Sequence, residues 1–346
     1  MSLNQQNIIY HLKKRSAYSH PVKRIRILET HISWILLTGS FVYKIKKEVK
    51  FGNILDFSKL LLRKKFCKKE VILNRPLCGD MYQNTVKIIQ KNGALRFVEL
   101  EEKGKPLEYA VKMIEIPQNF RMDNLVKVGK INKKTIKLLI DILIQFHNNT
   151  PTNNIISKFA LPKIMKKKFT ENFVTISKLE KINSIYEDKL YSFLENNNKL
   201  FYQRIRESKI RDIHGDLYLK NIFITGKRIY LYDRIEFNDS LRYADIVEDI
   251  AHLAMDLDFH GRLDLRDYFI SQYIKKSNDK NILNLVYFMM CYKACVRAKV
   301  SLFRAQEVID NKKIIYEKEA KKHLKLKSPI IIKIIDNLND LYLIMR

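Results

Sequence analysis

Hydrophobic and polar positions change rhythm near Pro117. Before it, short apolar runs alternate with polar residues at the period of a strand. The segments 24–29, 34–37 and 41–45 read as strands, and Thr38-Gly39-Ser40 turns between the last two. Three more strands are read at 86–89, 97–100 and 109–114, with Asn92-Gly93 as the hairpin turn between the first pair. Helical spacing covers 8–12 and 58–77. After Pro117 it dominates, over 135–147, 178–196, 245–256, 281–305 and 329–343, and only 221–233 interrupts it with strand-like alternation. The pattern predicts a small β-rich lobe at 1–112, a joining segment at 113–118 and a large helical lobe at 119–346.

Composition narrows the class. Of 346 residues, 46% are hydrophobic, enough to bury cores, so disorder is not the default. No run of about 18 apolar residues marks a membrane span. The N-terminus lacks the apolar centre of a signal peptide. Cys67, Cys78, Cys291 and Cys295 have no zinc spacing, and the last two lie one helical turn apart, where they pack. The expectation is a soluble cytoplasmic protein with reduced thiols. The formal net charge of +28 favours acidic or phosphate-rich partners. The lysines are scattered, with no arginine-rich arm, and Asn and Ile are abundant too. Compositional bias is therefore the plainer reading, and a nucleic-acid partner is not favoured. The Lys/Ile/Leu-rich end, 312–346, reads as a helix packed on the large lobe with a solvated basic face.

Candidate chemistry concentrates in one stretch. His214-Gly215-Asp216 starts a tight loop that reaches Asn221. A hairpin with its turn at Thr225-Gly226 follows and ends in Asp233. Because a hairpin folds back on itself, Asn221 and Asp233 are expected to come close. Phosphoryl transfer needs such a set: one carboxylate to orient a hydroxyl and take its proton, and hard oxygen ligands for magnesium. Most of that catalysis is positioning and electrostatics.

The segment resembles the H-x-D-x-x-x-x-N loop and downstream metal-binding Asp of the protein-kinase-like superfamily. Its HGD form is similar to the aminoglycoside phosphotransferase and choline kinase branch. Two further stretches, 29–34 running to 43–47 and 233–238 running to 249–251, are similar to an uncharacterised bacterial aminoglycoside-phosphotransferase-related family. The resemblance covers roughly 24–304. Some members of that family carry a fused C-terminal P-loop ATP-binding domain. This chain has no GxxxxGKS/T and ends early, so the function of that domain is expected to be absent. The resemblance implies an α+β, bilobal kinase-like fold, with one key helix in the small lobe. It also implies ATP and Mg2+ as cofactors and an alcohol group of a small molecule as acceptor. Asp216 would be the catalytic base, Asn221 and Asp233 the metal ligands, and Lys44 the phosphate-holding lysine. Met113 would lie on the nucleotide. His214 and Asp249 would brace the loop, and Glu236 would touch a second metal or the substrate. The expected Gly-rich phosphate loop is missing. In its place, the amides of 29–33 and the hydroxyls of Thr30 and Ser33 either cap phosphates or form an ordinary polar turn.

The lysine has a second line of argument. Strand alternation puts Val42, Lys44 and Lys46 on one face, so Lys46 competes with Lys44. In the following helix Leu62, Phe66, Leu73 and Leu77 form an apolar stripe, and Glu70 falls within it. An unpaired carboxylate there is costly to bury, which predicts a Lys44–Glu70 salt bridge. Asp245 and Glu248 read as a capping box, and His147, His252 and His260 as helix-face residues. A strongly positive chain is a poor field for polycationic aminoglycosides or for choline, so antibiotic resistance is not expected. Two other readings stay open: transfer of phosphate or AMP to a protein or nucleic acid, and a pseudokinase scaffold for nucleotide or RNA. The intact set Asp216, Asn221, Asp233 and Lys44 argues against the scaffold. The acceptor and the oligomeric state are not legible.

Overall fold

The computed structural model describes residues 4–179, 184–226, 228–280, 282–308 and 312–325. The helix expected over 329–343 and the end of the basic tail lie outside the described residues. The chain forms two compact units, Met1–Arg121 with Ile222–Asp239, and Met122–Asn221 with Ser240–Arg346.

The first unit begins with α1 (Gln5–His11), β1 (Arg26–Glu29), β2 (Ser33–Leu37) and β3 (Phe41–Lys46). A two-strand excursion follows, β4 (Lys50–Phe51) and β5 (Leu55–Asp56), and then the long helix α2 (Leu60–Cys78). β6 (Tyr82–Lys91), β7 (Ala94–Glu99) and β8 (Glu108–Ile114) complete a six-stranded antiparallel sheet in the order β1-β2-β3-β8-β6-β7. Asn92 and Gly93 have φ of 52° and 76°, the two positive values that a tight hairpin turn requires. Strand alternation divides β3. Tyr43 and Ile45 join Leu36, Val86, Ile88 and Ala110 against Ile8 and Ile9 of α1 and Leu12 just after it. The opposite face carries Val42, Lys44 and Lys46 and meets α2, which packs on β6 and β8.

The buried side of α2 differs from the expected stripe. Its centre is Arg63, Cys67, Glu70, Asn74 and Leu77, while Leu62, Phe66 and Leu73 flank it half-buried. The reason is that its polar groups have fixed partners, which removes most of the penalty of burial. The Arg63 Nε donates to both Glu108 oxygens at 3.0 and 2.9 Å, and the Asn74 amide donates to the Glu70 carbonyl at 2.8 Å.

The second unit starts with α3 (Met122–Lys127), α4 (Lys133–Asn149), α5 (Asn154–Ser157), α6 (Pro162–Leu179), α7 (Ser184–Asn196), α8 (Asn198–Arg206) and β9 (Ile210–Asp212). The hairpin β10 (Ile222–Thr225) and β11 (Arg228–Leu231) belongs to the first unit, where β11 packs on α2. The domain expectation had placed it in the large lobe. β12 (Tyr243–Asp245) pairs antiparallel with β9, and α9 (Val247–Phe259), α10 (Leu263–Ser277) and α11 (Leu283–Glu307) follow. A further helical stretch covers 312–325. α9 packs between α10 and α11, burying Ile250, Leu253, Ala254 and Leu257 completely. The capping box does not form as expected. Asp245 accepts the Val247 amide at 2.9 Å, but Glu248 bonds Lys293 at 2.8 Å instead of reaching back. The buried Arg204 fork holds Asp245 at 2.6 and 2.7 Å. Among the described residues no helix is long and apolar enough to cross a membrane.

Ile45 is fully buried between β3 and α1, whereas Leu61 on α2 is 75% exposed. Ile45→Ala should cost about 2–5 kcal/mol and Leu61→Ala about 0.5 or less, read as shifts of the urea midpoint.

Candidate active site

The first unit holds a chain of ion pairs built on Glu70. This carboxylate has no exposed surface. Its two oxygens accept separate lysines from β3, Lys44 at 2.9 Å and Lys46 at 2.6 Å. The expected Lys44–Glu70 bridge is present, and Lys46 shares the same acid. Each lysine then reaches a second carboxylate after β11: Lys44 pairs with Asp233 at 2.5 Å, and Lys46 pairs with Glu236.

The segment after β11 is stitched to α2 and β6 through its backbone. Cys78 Sγ donates to the Leu231 carbonyl at 3.2 Å, and Asn74 Oδ1 accepts the Arg234 amide at 2.9 Å. The Tyr82 hydroxyl accepts the Asp233 amide at 3.2 Å. Asp233 has φ +64°, a left-handed conformation that few non-glycine residues adopt and that clusters at functional positions. These bonds hold it there.

The two ends of the chain differ. Lys46 and Glu236 are 0% and 3% exposed, and the Lys46 ammonium lies 4.9 Å from the Phe57 ring centre. That end is sealed, with Glu236 paired to Lys46. The Asp233 side chain is 39% exposed, so the Lys44–Asp233 end is accessible. Burial alone would lower the Lys44 pKa. Asp233, then Glu70 and Glu236, outweigh it and hold the ammonium well above the usual lysine value. Burial works on Glu70 in the opposite sense, yet Lys44 and Lys46 keep it well below the usual carboxylate range. For Glu236 burial wins, and its pKa is raised.

Thr30 and Ser33 form a self-contained turn. The Thr30 hydroxyl donates to the Ser33 carbonyl at 3.1 Å and accepts the Ser33 amide at 2.9 Å. Ser33 is 1% exposed. Met113 is buried in β8, paired in register with Val42 of β3.

The second unit holds the loop. Gly215 takes φ +87°, which lets consecutive amides converge on one acceptor. That acceptor is Asp249 of α9: Oδ2 takes the His214 amide at 2.8 Å and Oδ1 the Gly215 amide at 3.0 Å. His147 Nε2 lies 3.2 Å from the same carboxylate, and its Nδ1 lies 3.0 Å from the Tyr273 hydroxyl. The buried His214 receives the Asp216 amide at Nδ1, 3.4 Å away. The Asn221 side-chain NH2 donates to the Asp216 carbonyl at 2.9 Å and to its carboxylate at 3.3 Å. Asp256, two turns further along α9, accepts the Leu219 amide at 2.8 Å.

Several of these bracing residues escaped the sequence reading: Asp256, His147, Tyr82 and Asn74. One signal was available. Asp249, His252 and Asp256 repeat at i, i+3 and i+7 in an otherwise apolar helix, which puts three polar groups on one buried face. His147 and Tyr273 carry no such pattern.

No family model matches the chain. Uncharacterised proteins of Mycobacterium tuberculosis and Mycobacterium bovis are 30% identical over 295 residues, 83% of this chain. The chain spans 57% of the length of these curated relatives. A choline kinase from Cryptosporidium parvum superposes with a TM-score of 0.51 at 10% identity, over 95% of both chains. An ethanolamine kinase from Plasmodium vivax gives 0.50 at 14% identity, over 90% of this chain and 84% of its own. The fold is the bilobal, protein-kinase-like fold of these two kinases. Within this kinase-like fold, the strand lysine, the helix glutamate and the HGD loop are this chain's own residues at the places described above.

Two predictions follow from the buried acids. Glu70→Gln leaves two buried ammoniums short of a counter-charge and should cost about 3–5 kcal/mol in denaturant melts. For Asp249, burial alone would raise the pKa, but His147 and the His214 amide hold it below the usual value. Its ionised form therefore stabilises the fold fully above about pH 4, and this contribution fades as pH falls through the lower folded value. Asp249→Asn should melt earlier at neutral pH and show a shallower acid limb in thermal melts below about pH 4.

Proposed function

We propose that the chain is an ATP- and magnesium-dependent phosphotransferase that moves the γ-phosphate to a hydroxyl of a small molecule. The observation that carries this reading is the double engagement of Lys44. It joins a helix glutamate, Glu70, to an accessible acid in a left-handed backbone position, Asp233. Kinase-type catalysis needs a strand lysine paired with a helix glutamate, and a separate metal-binding acid. The choline and ethanolamine kinases named above support the reaction class.

In this reading Lys44 holds the α- and β-phosphates, and Glu70 fixes its ammonium. Asp233 and the carbonyl oxygen of Asn221 are the magnesium ligands. Both are hard oxygen donors, which suits that ion. Bound magnesium would offset phosphate charge. Asp216 orients the acceptor hydroxyl and takes its proton as oxygen bonds to the γ-phosphorus and the bond to the β-phosphate oxygen breaks. Asp249 acts through the backbone by holding the amides of His214 and Gly215, so that Asp216 leaves the loop at a fixed angle. An acceptor that is itself a polycation is disfavoured by the net charge of +28.

Mg-ATP turnover, followed as ADP release, tests the reading. Asp216→Ala should lower it by about 10²–10⁴-fold while leaving the melting temperature near that of the wild type, since the Asp216 side chain is 35% exposed. Lys44→Met should also lose turnover, and removal of divalent metal should abolish it. Undiminished ADP release by Asp216→Ala would end the case.

A further inference from the structure

The second unit contains a buried cation that nothing described so far uses. Arg297 on α11 is 6% exposed, and its Nε has no hydrogen-bond partner among the described residues. No carboxylate there comes within ion-pair distance of its guanidinium. Asp216, Asp256 and Glu319 act on it only from further away. Asp256 is already committed to the Leu219 amide, and Glu319 lies 3.8 Å from Lys220. A guanidinium removed from water without a partner is costly to keep. Other buried arginines of this unit do not resemble it: Arg204 has two carboxylates and Arg242 has Asp212.

Its position is defined by stacking. The guanidinium carbon lies 4.4 Å from the centre of the Tyr218 ring, two residues beyond Asp216. The His252 ring stacks on the same tyrosine, with centroids 5.4 Å apart and planes 10° apart. The His252 Nδ1 lies 3.8 Å from the Asp216 carboxylate. Neither His252 ring nitrogen has a hydrogen-bond partner among the described residues, and the ring is 2% exposed. Two orphaned buried donors thus converge on the loop that carries Asp216. Stacking leaves the edge of a guanidinium available and pre-oriented for a two-point bond to an oxyanion.

We infer that Arg297, with His252 beside it, is the seat for an anionic group of the acceptor, so that the substrate is a hydroxyl compound that also carries a phosphate or a carboxylate. This rests on the phosphotransferase reading and deepens it. The acceptor's anion docks on Arg297 while its hydroxyl reaches Asp216. The buried cation selects against the cationic acceptors that the net charge also disfavours. The neutral His252 ring supplies a hydrogen bond without adding charge; burial, then Lys293 and Arg297, keeps its pKa well below the usual histidine value.

The test uses the intact chain saturated with Mg²⁺ and a non-hydrolysable ATP analogue, so that the nucleotide position is filled. Inorganic phosphate and acetate are titrated by calorimetry at constant ionic strength, with chloride as the control. Saturable binding of phosphate or acetate, accompanied by a rise in melting temperature, is expected. The tighter of the two identifies the acceptor's anionic group. Arg297→Met should weaken that binding by at least about tenfold, and Arg297→Lys by less, because a bidentate charge-assisted contact is lost. In anion-free buffer Arg297→Met should melt at or above the wild-type temperature, since an uncompensated buried charge has gone. An unfolded Arg297→Met, an anion affinity within about twofold of wild type, or no saturable binding by the wild type would each overturn the inference. A wild type that binds Mg-ATP but no small anion defeats only this inference. A wild type that neither binds nor turns over Mg-ATP defeats the phosphotransferase reading itself.

Discussion

A carboxylate without exposed surface cannot stand alone in a protein interior, and Glu70 is such a carboxylate. Its neutralisation by Lys44 and Lys46 constrains much of the first unit. The lysines occupy alternate positions of one strand, so both face α2 only in the observed register. A slip of one residue would turn them toward Tyr43's side of the sheet, into the apolar layer under α1. The same requirement seats α2, because Glu70 must sit over β3. It also draws in Ile222–Asp239, because each lysine gives a second donor to Asp233 or Glu236. One buried charge thus links a strand register, a helix seat and a segment more than 100 residues away.

The ion-pair chain is asymmetric, and the asymmetry bears on function. Two ammoniums face three carboxylates. At the sealed end burial raises the pKa of Glu236, against the pull of Lys46. At the accessible end Asp233 keeps an exposed carboxylate on a backbone that is held in a strained conformation by Tyr82 and Asn74 on either side of the peptide. A structural ion pair would gain nothing from such a backbone. A ligand-binding acid gains from it, since its direction is set before the ligand arrives. Lys44 and Lys46 differ on the same grounds: Lys46 has no exposed surface, and Lys44 has one partner with access to solvent.

What was legible in the sequence followed from local periodicity. The alternation of β3, the Asn92-Gly93 hairpin and the conflict posed by Glu70 could all be read from neighbours in the chain. What was not legible depended on partners far apart in sequence. The polar centre of α2 makes sense only with Glu108 and Arg234 in place, so a search for an apolar stripe settled one position aside, on Leu62, Phe66 and Leu73. The regrouping of 222–239 rests on bonds to Asn74, Cys78 and Tyr82 that no periodicity announces. Helices α6 and α8 were missed where lysine and asparagine dilute the apolar spacing. The HGD loop was readable as a motif, yet its support from His147 and Tyr273 was not, because the three segments meet only in the folded unit.

Buried polar side chains therefore fall into two kinds in this molecule. Glu70, Arg63, Asn74, Arg204 and Asp249 are each met by groups of opposite character from other elements, and their burial is explained by the fold itself. Arg297 and His252 lie just as deep and are not so met among the described residues. Packing cannot account for them, because an apolar side chain of similar volume would stabilise the same site at lower cost. Near the loop that carries Asp216, the economical explanation for an uncompensated cation is that its counter-charge arrives from solution, and that the chain tolerates the cost of the unpaired guanidinium for the selectivity gained on binding.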